Sequence, residues 1–146
     1  MKRIIAIIAA AISLLSVGCK STEAAPKPEA KSVSPSEICG EWKIESLTGF
    51  AAEKIPEATL SVIATDEDEF SLNGYSGVNS FFTNLKDTSD AFPIGDKLAS
   101  TKMMGAPEDM AFEDALLKVI SLAESWKLEG GKLTVTSDKS TAVFIK

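Results

Sequence analysis

The sequence contains no histidine and only two cysteines, Cys19 and Cys39, among its 146 residues. The absence of histidine removes the commonest general base and metal ligand, and it excludes every nucleophile that depends on a Ser-His or Cys-His pair. A hydrolase built on two carboxylates is the one catalytic class left open, because the chain has 21 acidic residues. We therefore predict a protein that is not an enzyme and that uses no cofactor and no metal.

Positive charge is also scarce. The chain has 15 Lys and Arg residues against 21 Asp and Glu, which gives a net charge of −6. This balance argues against nucleic acid as a partner, because phosphates require a basic surface, and it provides no electrostatic attraction to anionic lipids. The acidic run at residues 66–69 (DEDE) lacks the alternating ligands and central glycine of a calcium loop, so we predict a solvated turn there.

No apolar run is long enough to cross a membrane as a helix. The longest, residues 4–17, has 14 residues, fewer than the roughly 20 that a span requires. Lys2 and Arg3 precede this run, and small residues end it. This is the pattern of an export signal.

The end of the run, SVGC at residues 16–19, resembles the lipobox of bacterial lipoproteins, although Ser16 stands where an aliphatic residue is usual. The resemblance implies that residues 1–18 are a lipoprotein signal peptide and that the Cys19 thiol receives a diacylglycerol. Acyl chains anchor a protein without any transmembrane helix. The alternative is a plain signal peptide with a chance cysteine. If Cys19 is acylated, Cys39 has no partner in the chain, and no intramolecular disulfide is expected.

Residues 19–37 are predicted to be a lipid-anchored, disordered tether. They contain three prolines and almost no large apolar side chain, so they cannot recover the entropy cost of folding. The tether would hold a domain of residues 38–146 away from the membrane. Lys20 is not the aspartate that retains lipoproteins in the inner membrane in enteric-type sorting. The predicted location is therefore the cell envelope, at the outer membrane, facing the periplasm or the cell surface.

The domain is predicted to contain short antiparallel strands. Alternating polar and apolar residues, the period of a half-buried strand, mark the first three, while residues 80–85 and 91–94 are weaker candidates. Gly130 and Gly131 can supply the positive φ angles of a tight hairpin. The predicted strands are residues 41–45, 59–62, 69–72, 80–85, 91–94, 126–128, 133–135 and 141–145.

One helix is predicted over residues 108–124, with Pro107 at its first position. Apolar residues at positions 112, 115, 116, 119, 120 and 123 form a single stripe, which we expect to pack on the sheet. Glu113 and Asp114 are assigned to the solvent-facing side. These elements predict an α+β fold, a bent antiparallel sheet or partial barrel with one packed amphipathic helix.

The order of these elements and three short motifs resemble the META domain (HslJ-like) family. Residues 40–44 (GEWKI) resemble its opening G-x-W-x-aliphatic motif, and residues 73–79 (NGYSGVN) resemble its central G-x-x-G-C-N turn. Residues 92–94 (FPI) and then 98–104 (LASTKMM) are similar to the segment that ends T-x-M-x-C. The resemblance implies an HslJ-like fold and an association with bacterial stress tolerance, without a settled biochemical activity.

Several positions depart from the family pattern. Many members carry cysteine where this chain has Val78 and Gly105, so any thiol chemistry of those cysteines is absent here. Thr83 and Leu85 stand where a glycine and a tyrosine are frequent. Cys39 is expected to be a half-buried small hydrophobe at the start of the first strand or, alternatively, an exposed thiol.

The central motif supplies most of the candidate site residues. Gly74, Gly77 and Asn79 are residue types that tolerate left-handed backbone, so the first interpretation is structural, a tight turn between strands. The alternative is a loop that presents Tyr75 and Asn79 to a ligand. The candidate residues of the following family segment are Thr101 and Met103.

The predicted function is that of a non-catalytic, lipid-anchored envelope protein, a binding or stress-tolerance module that acts on envelope proteins. The alternative is a small-ligand or solute-binding lipoprotein. The first should expose an apolar patch of several hundred Å², whereas the second should contain a concave, mostly apolar cavity. The expected partners are the membrane, through the lipid, and an envelope protein, and the chain itself is expected to be a monomer or weak oligomer.

Overall fold

The computed structural model describes residues 33–86 and 98–146. Cys19, the predicted signal peptide, most of the predicted tether and the strand predicted at 91–94 lie outside the described residues. Short 3₁₀ helices lie at Pro35–Ile38 and Ala52–Lys54. The other elements are β1 (Gly40–Leu47), β2 (Thr59–Ala64), β3 (Glu69–Tyr75), β4 (Ser80–Lys86), β5 (Ala99–Ser100), α1 (Pro107–Ser121), β6 (Ser125–Glu129), β7 (Lys132–Thr136) and β8 (Thr141–Ile145).

The strands form one antiparallel sheet in the order β5-β4-β3-β2-β1-β8-β7-β6. Chain neighbours pair from β1 to β5 and again from β6 to β8, and the two groups join where β8 pairs with β1. Because β5 and β6 are the edges, the sheet is open. The structure confirms the predicted α+β fold, with a sheet that does not close into a barrel.

The strands predicted from the sequence include seven of the eight described strands. β8 has its predicted bounds, and Gly130 and Gly131 join β6 to β7 with φ angles of 58° and 79°. β5, which has two residues and pairs with β4, is not among the predicted strands. Two residues are too few to show a periodicity, so only the pairing partner defines this strand.

One face of the sheet carries the hydrophobic core, and α1 packs against it. The helix contributes Phe112, Leu116, Val119 and Ile120, as the apolar stripe predicts. Burial of a large apolar side chain stabilises the fold by roughly 1.5–3 kcal/mol, so this inward face provides most of the hydrophobic stabilisation. The largest fully buried rings belong to Trp42, Trp126, Phe81, Phe112 and Phe144.

The helix differs from its prediction in two respects. It ends at Ser121, three residues before the predicted end at residue 124. The assignment of Glu113 to the solvent side is wrong, because its side chain is 5% exposed. At 100° per residue, Glu113 lies about 60° from Leu116 and about 20° from Ile120, so it borders the apolar stripe. Asp114, the next residue, is exposed as predicted.

The described domain begins earlier than residue 38. The Val33 amide donates to the Trp126 carbonyl at 3.0 Å, and Pro35 is buried. Ser34 and Glu37 form a capping box for the first 3₁₀ helix. Residues 33–37 therefore pack on the domain, although their composition favours a tether. The fixed φ of proline suits the first position of a helical turn, so proline does not indicate disorder there.

Cys39 lies between this 3₁₀ helix and β1. It is half-buried against the core, and its Sγ lies 3.6 Å from the Pro35 carbonyl oxygen. Within the described part of the chain it is a free cysteine. The same part of the chain contains no helix long and apolar enough to span a membrane.

Candidate functional site

The central motif forms a tight turn at residues 76–79, between β3 and β4. The Ser76 amide donates to the Asn79 carbonyl at 2.8 Å, which closes the turn. Gly77 has a φ of 98°, and a Cβ at this position would lie 2.8 Å from Cγ of Pro56. Both the backbone conformation and the available space therefore require glycine at position 77.

Gly74 and Tyr75 precede the turn, in β3. Gly74 does not have the left-handed backbone that its residue type would tolerate. It is required for close approach, because a Cβ would lie 2.3 Å from the Thr59 carbonyl oxygen and 2.3 Å from Cζ of Phe81. Tyr75 is 38% exposed, and its hydroxyl donates to the Gly77 carbonyl at 2.8 Å. The Tyr75 hydroxyl therefore supports the turn.

Asn79 connects the turn to the segment that follows β5. Its Oδ1 accepts hydrogen bonds from the Thr101 hydroxyl at 2.7 Å and from the Met103 amide at 2.6 Å. Its Nδ2 donates to the Met103 carbonyl at 3.1 Å. The side-chain amide thus pairs with both polar groups of the Met103 backbone, as a neighbouring strand would. Asn79 is 1% exposed, so it is not presented to a ligand in solution.

Glu113 of α1 approaches the same turn from the core side. Its Oε2 accepts from the Asn79 amide at 2.8 Å, and its Oε1 accepts from Nδ2 of Asn79 at 2.8 Å. Oγ of Ser76 lies 2.5 Å from Oε2 and 2.8 Å from the Asn79 carbonyl oxygen. No cation from the described residues pairs with this buried carboxylate, so these hydrogen bonds offset its burial.

Ser76, Asn79, Thr101, Glu113 and the backbone of Met103 form what we call the motif cluster. A serine hydroxyl beside a carboxylate resembles a nucleophile with its base. However, Ser76 is 0% exposed and Glu113 is 5% exposed, and both are engaged in hydrogen bonds inside the domain. In this conformation the arrangement holds three chain segments together and offers no open position beside the hydroxyl for a reacting atom.

The described residues contain no group of three or more His, Cys, Asp or Glu side chains that could hold a metal ion. The acidic run at 66–69 lies in the connection between β2 and β3 and ends at Glu69, the first residue of β3. In that turn the amides of Thr65 and Asp66 donate to the Glu69 carbonyl, at 2.8 Å and 3.1 Å. The carboxylates there are exposed to solvent.

The motif cluster positions an exposed methionine pair. Residues 101–106 have no regular secondary structure, yet Asn79 fixes the Met103 backbone. The side chains of Met103 and Met104 are 58% and 92% exposed. At the end of the segment, the Gly105 amide donates to Sδ of Met110 at 3.4 Å. The cluster therefore holds two flexible apolar side chains at the surface.

Three of the five cluster residues are candidates from the sequence, in two separate motifs, and two are not. Asn79, Thr101 and Met103 are candidate residues, and the structure places them in direct contact. Ser76 and Glu113 are missed, because one is an ordinary turn residue and the other is charged. A signal for Glu113 exists: with Leu116 and Ile120 it follows the i, i+3, i+7 spacing of a buried helix face.

Val78 and Gly105, the two positions at which cysteines are frequent in the family that the sequence resembles, are neighbours in space. A Cβ on Gly105 would lie 3.4 Å from Cβ of Val78 and 2.6 Å from its Cγ2. Val78 is 8% exposed, so its methyl groups fill the space beside Gly105. A valine and a glycine thus occupy a site with the spacing of a cysteine pair.

Residues 36–146 match the META domain family. No curated protein sequence and no solved structure shows significant similarity to the chain. The matched range begins at the first 3₁₀ helix and includes every residue of the motif cluster.

Proposed function

The chain belongs to the META domain family, and from this premise we propose that it is a non-catalytic, lipid-anchored protein of the cell envelope, in which the domain contacts other envelope proteins and supports stress tolerance. The proposal that the protein is not an enzyme rests on one observation, that the motif cluster leaves no open position for a substrate beside its serine hydroxyl. Its only serine-carboxylate pair is buried and engaged within the domain. The absence of histidine from the sequence supports the same conclusion.

The proposed contact surface is the methionine pair that the motif cluster holds. Methionine is unbranched and polarizable, so it adapts to partners of different shape and is enriched at protein interfaces. Met103 and Met104 are more than half exposed, while Asn79 fixes the backbone of Met103 through two hydrogen bonds. This arrangement combines a rigid base with adaptable side chains, which lowers the entropy cost of binding.

Anchoring is tested with Cys19→Ser. The variant is expected to remain an unprocessed precursor and to incorporate no label from a palmitate analogue, because it lacks the thiol that receives the acyl chain. Cys39→Ser is the matched control and should be labelled like the wild type. Equal labelling of the wild type and Cys19→Ser would contradict lipidation. Fractionation of the labelled protein then tests the proposed outer-membrane location.

Protein contact is tested with a photo-reactive amino acid at position 104. Irradiation of living cells is expected to give one discrete crosslinked product with an envelope protein, because this side chain is the most exposed of the pair. The same amino acid at position 139, an exposed turn residue between β7 and β8, should give no such product. Full incorporation at 104 without a discrete product would contradict this surface as the contact site.

A further inference from the structure

The outward face of strands β2, β3 and β4 is almost free of charge. Register and burial place one row of outward side chains on each strand: Thr59, Ser61 and Ile63, then Ser71, Asn73 and Tyr75, then Ser80, Phe82 and Asn84. All nine are neutral, in a chain in which 25% of residues are charged. Charge returns at one end, at Glu69, and on the adjacent strand β1, where the exposed Glu41 and Lys43 lie across from Ser61 and Thr59. The far edge of the sheet differs, since Lys127, Glu129 and Lys132 are exposed there.

Two aromatic rings flank an amide on this neutral face. Phe82 is 59% exposed and lies directly across from Asn73, while Tyr75 lies two residues further along the strand of Asn73. The hydrogen bond from the Tyr75 hydroxyl to Gly77 fixes the position of its ring. The neighbouring row contains Ile63, which is 52% exposed. The Tyr75 ring is therefore already in place before any ligand arrives, on the same face as the exposed Phe82 and Ile63 side chains.

Hydrogen-bonding groups on the face are available. Nδ2 of Asn73 donates to the Ser71 hydroxyl at 2.8 Å, which orients the amide and leaves its Oδ1 free to accept. Asn84 lies across from Ser71, is exposed, and makes no side-chain hydrogen bond with any described residue. The face thus combines an exposed ring with one oriented amide, Asn73, and a second exposed amide, Asn84.

We propose that the outward face of β2–β4 binds a neutral oligosaccharide. Sugar rings present C–H faces that stack on aromatic rings and hydroxyls that pair with amides, and a sheet face with such groups binds oligosaccharides in other folds. A ligand without charge matches the nine neutral side chains of β2–β4, and the charged residues lie at the border of this patch. This site is separate from the methionine pair, and it does not depend on lipid anchoring.

The dimensions of the face favour a short oligosaccharide over a second copy of the chain. Three strands span about 10 Å between the outer two, and the five residues from Thr59 to Ile63 span about 13 Å. A stable protein interface buries about 800 Å² on each partner. This area is several times the area of a patch with these two dimensions. A lipid surface is disfavoured as well, because the net charge of −6 repels anionic headgroups.

The test titrates the full-length protein, in a detergent without a sugar headgroup, with chitotetraose, cellotetraose and maltotetraose, followed by NMR shifts of the Phe82 and Asn84 signals. At least one neutral tetrasaccharide is expected to bind, whereas the anionic tetragalacturonate is not. Phe82→Ala should weaken binding about tenfold or more, corresponding to about 1.4 kcal/mol. Leu122→Ala removes an apolar side chain of similar exposure outside the face, 57% against 59%, and should leave binding unchanged.

Phe82 is exposed, so thermal unfolding of Phe82→Ala should match that of the wild type and show that the fold is intact. The proposal is overturned if no neutral tetrasaccharide shifts these signals at millimolar concentration. It is also overturned if tetragalacturonate binds equally well, or if Phe82→Ala and Leu122→Ala behave alike. A dimer whose dissociation constant rises with Phe82→Ala, without sugar binding, would assign the face to self-association instead.

Discussion

A Glu113→Gln variant is expected to have a free energy of unfolding about 3 kcal/mol lower than that of the wild-type chain. Glutamine has the size and shape of glutamate, so the substitution creates no cavity. It replaces one acceptor oxygen by an NH₂ group that can only donate. The loss is expected because both carboxylate oxygens accept hydrogen bonds in the folded protein.

Neither orientation of the new amide restores these bonds. An NH₂ in place of Oε2 faces the Asn79 backbone amide, and an NH₂ in place of Oε1 faces Nδ2 of Asn79, each 2.8 Å away. Asn79 cannot reverse its own side chain, because its Oδ1 already accepts from Thr101 and Met103. A buried donor therefore faces another donor, and the lost partner alone costs about 1–3 kcal/mol.

Urea unfolding of the two proteins measures this difference. Asp114→Asn is the matched control, since it removes the same formal charge from the next residue of α1, which is exposed. The control should remain within about 0.5 kcal/mol of the wild type. If Glu113→Gln unfolds at the same urea concentration as Asp114→Asn, Glu113 is not the acceptor that joins the helix to the turn.

The size of the expected effect reflects where Glu113 lies in the topology. Asn79 and Glu113 are 34 residues apart in the chain. The turn between β3 and β4 belongs to the first group of strands, whereas α1 packs near β7 and β8 of the second group. Hydrogen bonds between Asn79 and Glu113 thus join the two groups on the core side of the sheet. Their loss should weaken both groups together and not only fray the helix.

The elements that are easiest to predict from this sequence are those in which apolar residues recur at a regular spacing. Three strands follow from alternation and the helix from the apolar stripe, because burial of one face imposes a period of two or of 3.6 residues. The β6-β7 hairpin follows from Gly130 and Gly131 between its strands. The motif cluster has no period. Its contacts join a turn, an irregular segment and a helix, and a charged residue such as Glu113 is assigned to solvent by default unless its partners are known.

The two glycines of the central motif also show what a sequence alone cannot predict. Gly74 and Gly77 look alike in sequence, and both suit a turn. Only Gly77 has a left-handed φ, of 98°, whereas Gly74 lies in a strand where the ring of Phe81 takes the space of a side chain. Close approach between distant segments depends on tertiary structure, so the sequence of a short motif cannot distinguish these two requirements.

A second large effect is expected from placing cysteines at positions 78 and 105 together. In the oxidised Val78→Cys/Gly105→Cys variant, a disulfide is expected to raise the free energy of unfolding by about 3.5 kcal/mol over the reduced form, because it closes a loop of about 28 residues in the unfolded chain. The geometry permits the bond. A Cβ at 105 would lie 3.4 Å from Cβ of Val78, close to the 3.5–4.5 Å typical of disulfides.

The wild-type residues of this pair predict how the single variants behave. Gly105→Cys alone should destabilise the domain, because its Cβ would meet Cγ2 of Val78 at 2.6 Å, and this methyl group must move. Val78→Cys alone removes buried methyl groups and should cost about 1 kcal/mol. The double variant removes the clashing methyl groups and supplies the second sulfur, so the effects of the two substitutions should not add.

The experiment compares unfolding with and without reductant, in a chain of residues 20–146 that carries Cys39→Ser to prevent mispairing. The parent chain should unfold identically in both conditions, because residues 20–146 with Cys39→Ser contain no cysteine. Mass spectrometry of the double variant should show the loss of two hydrogens on oxidation, and the oxidised form should unfold at higher urea. A double variant that stays reduced in air, or that crosslinks and becomes less stable, would contradict the close approach of the turn at Val78 to the segment at Gly105.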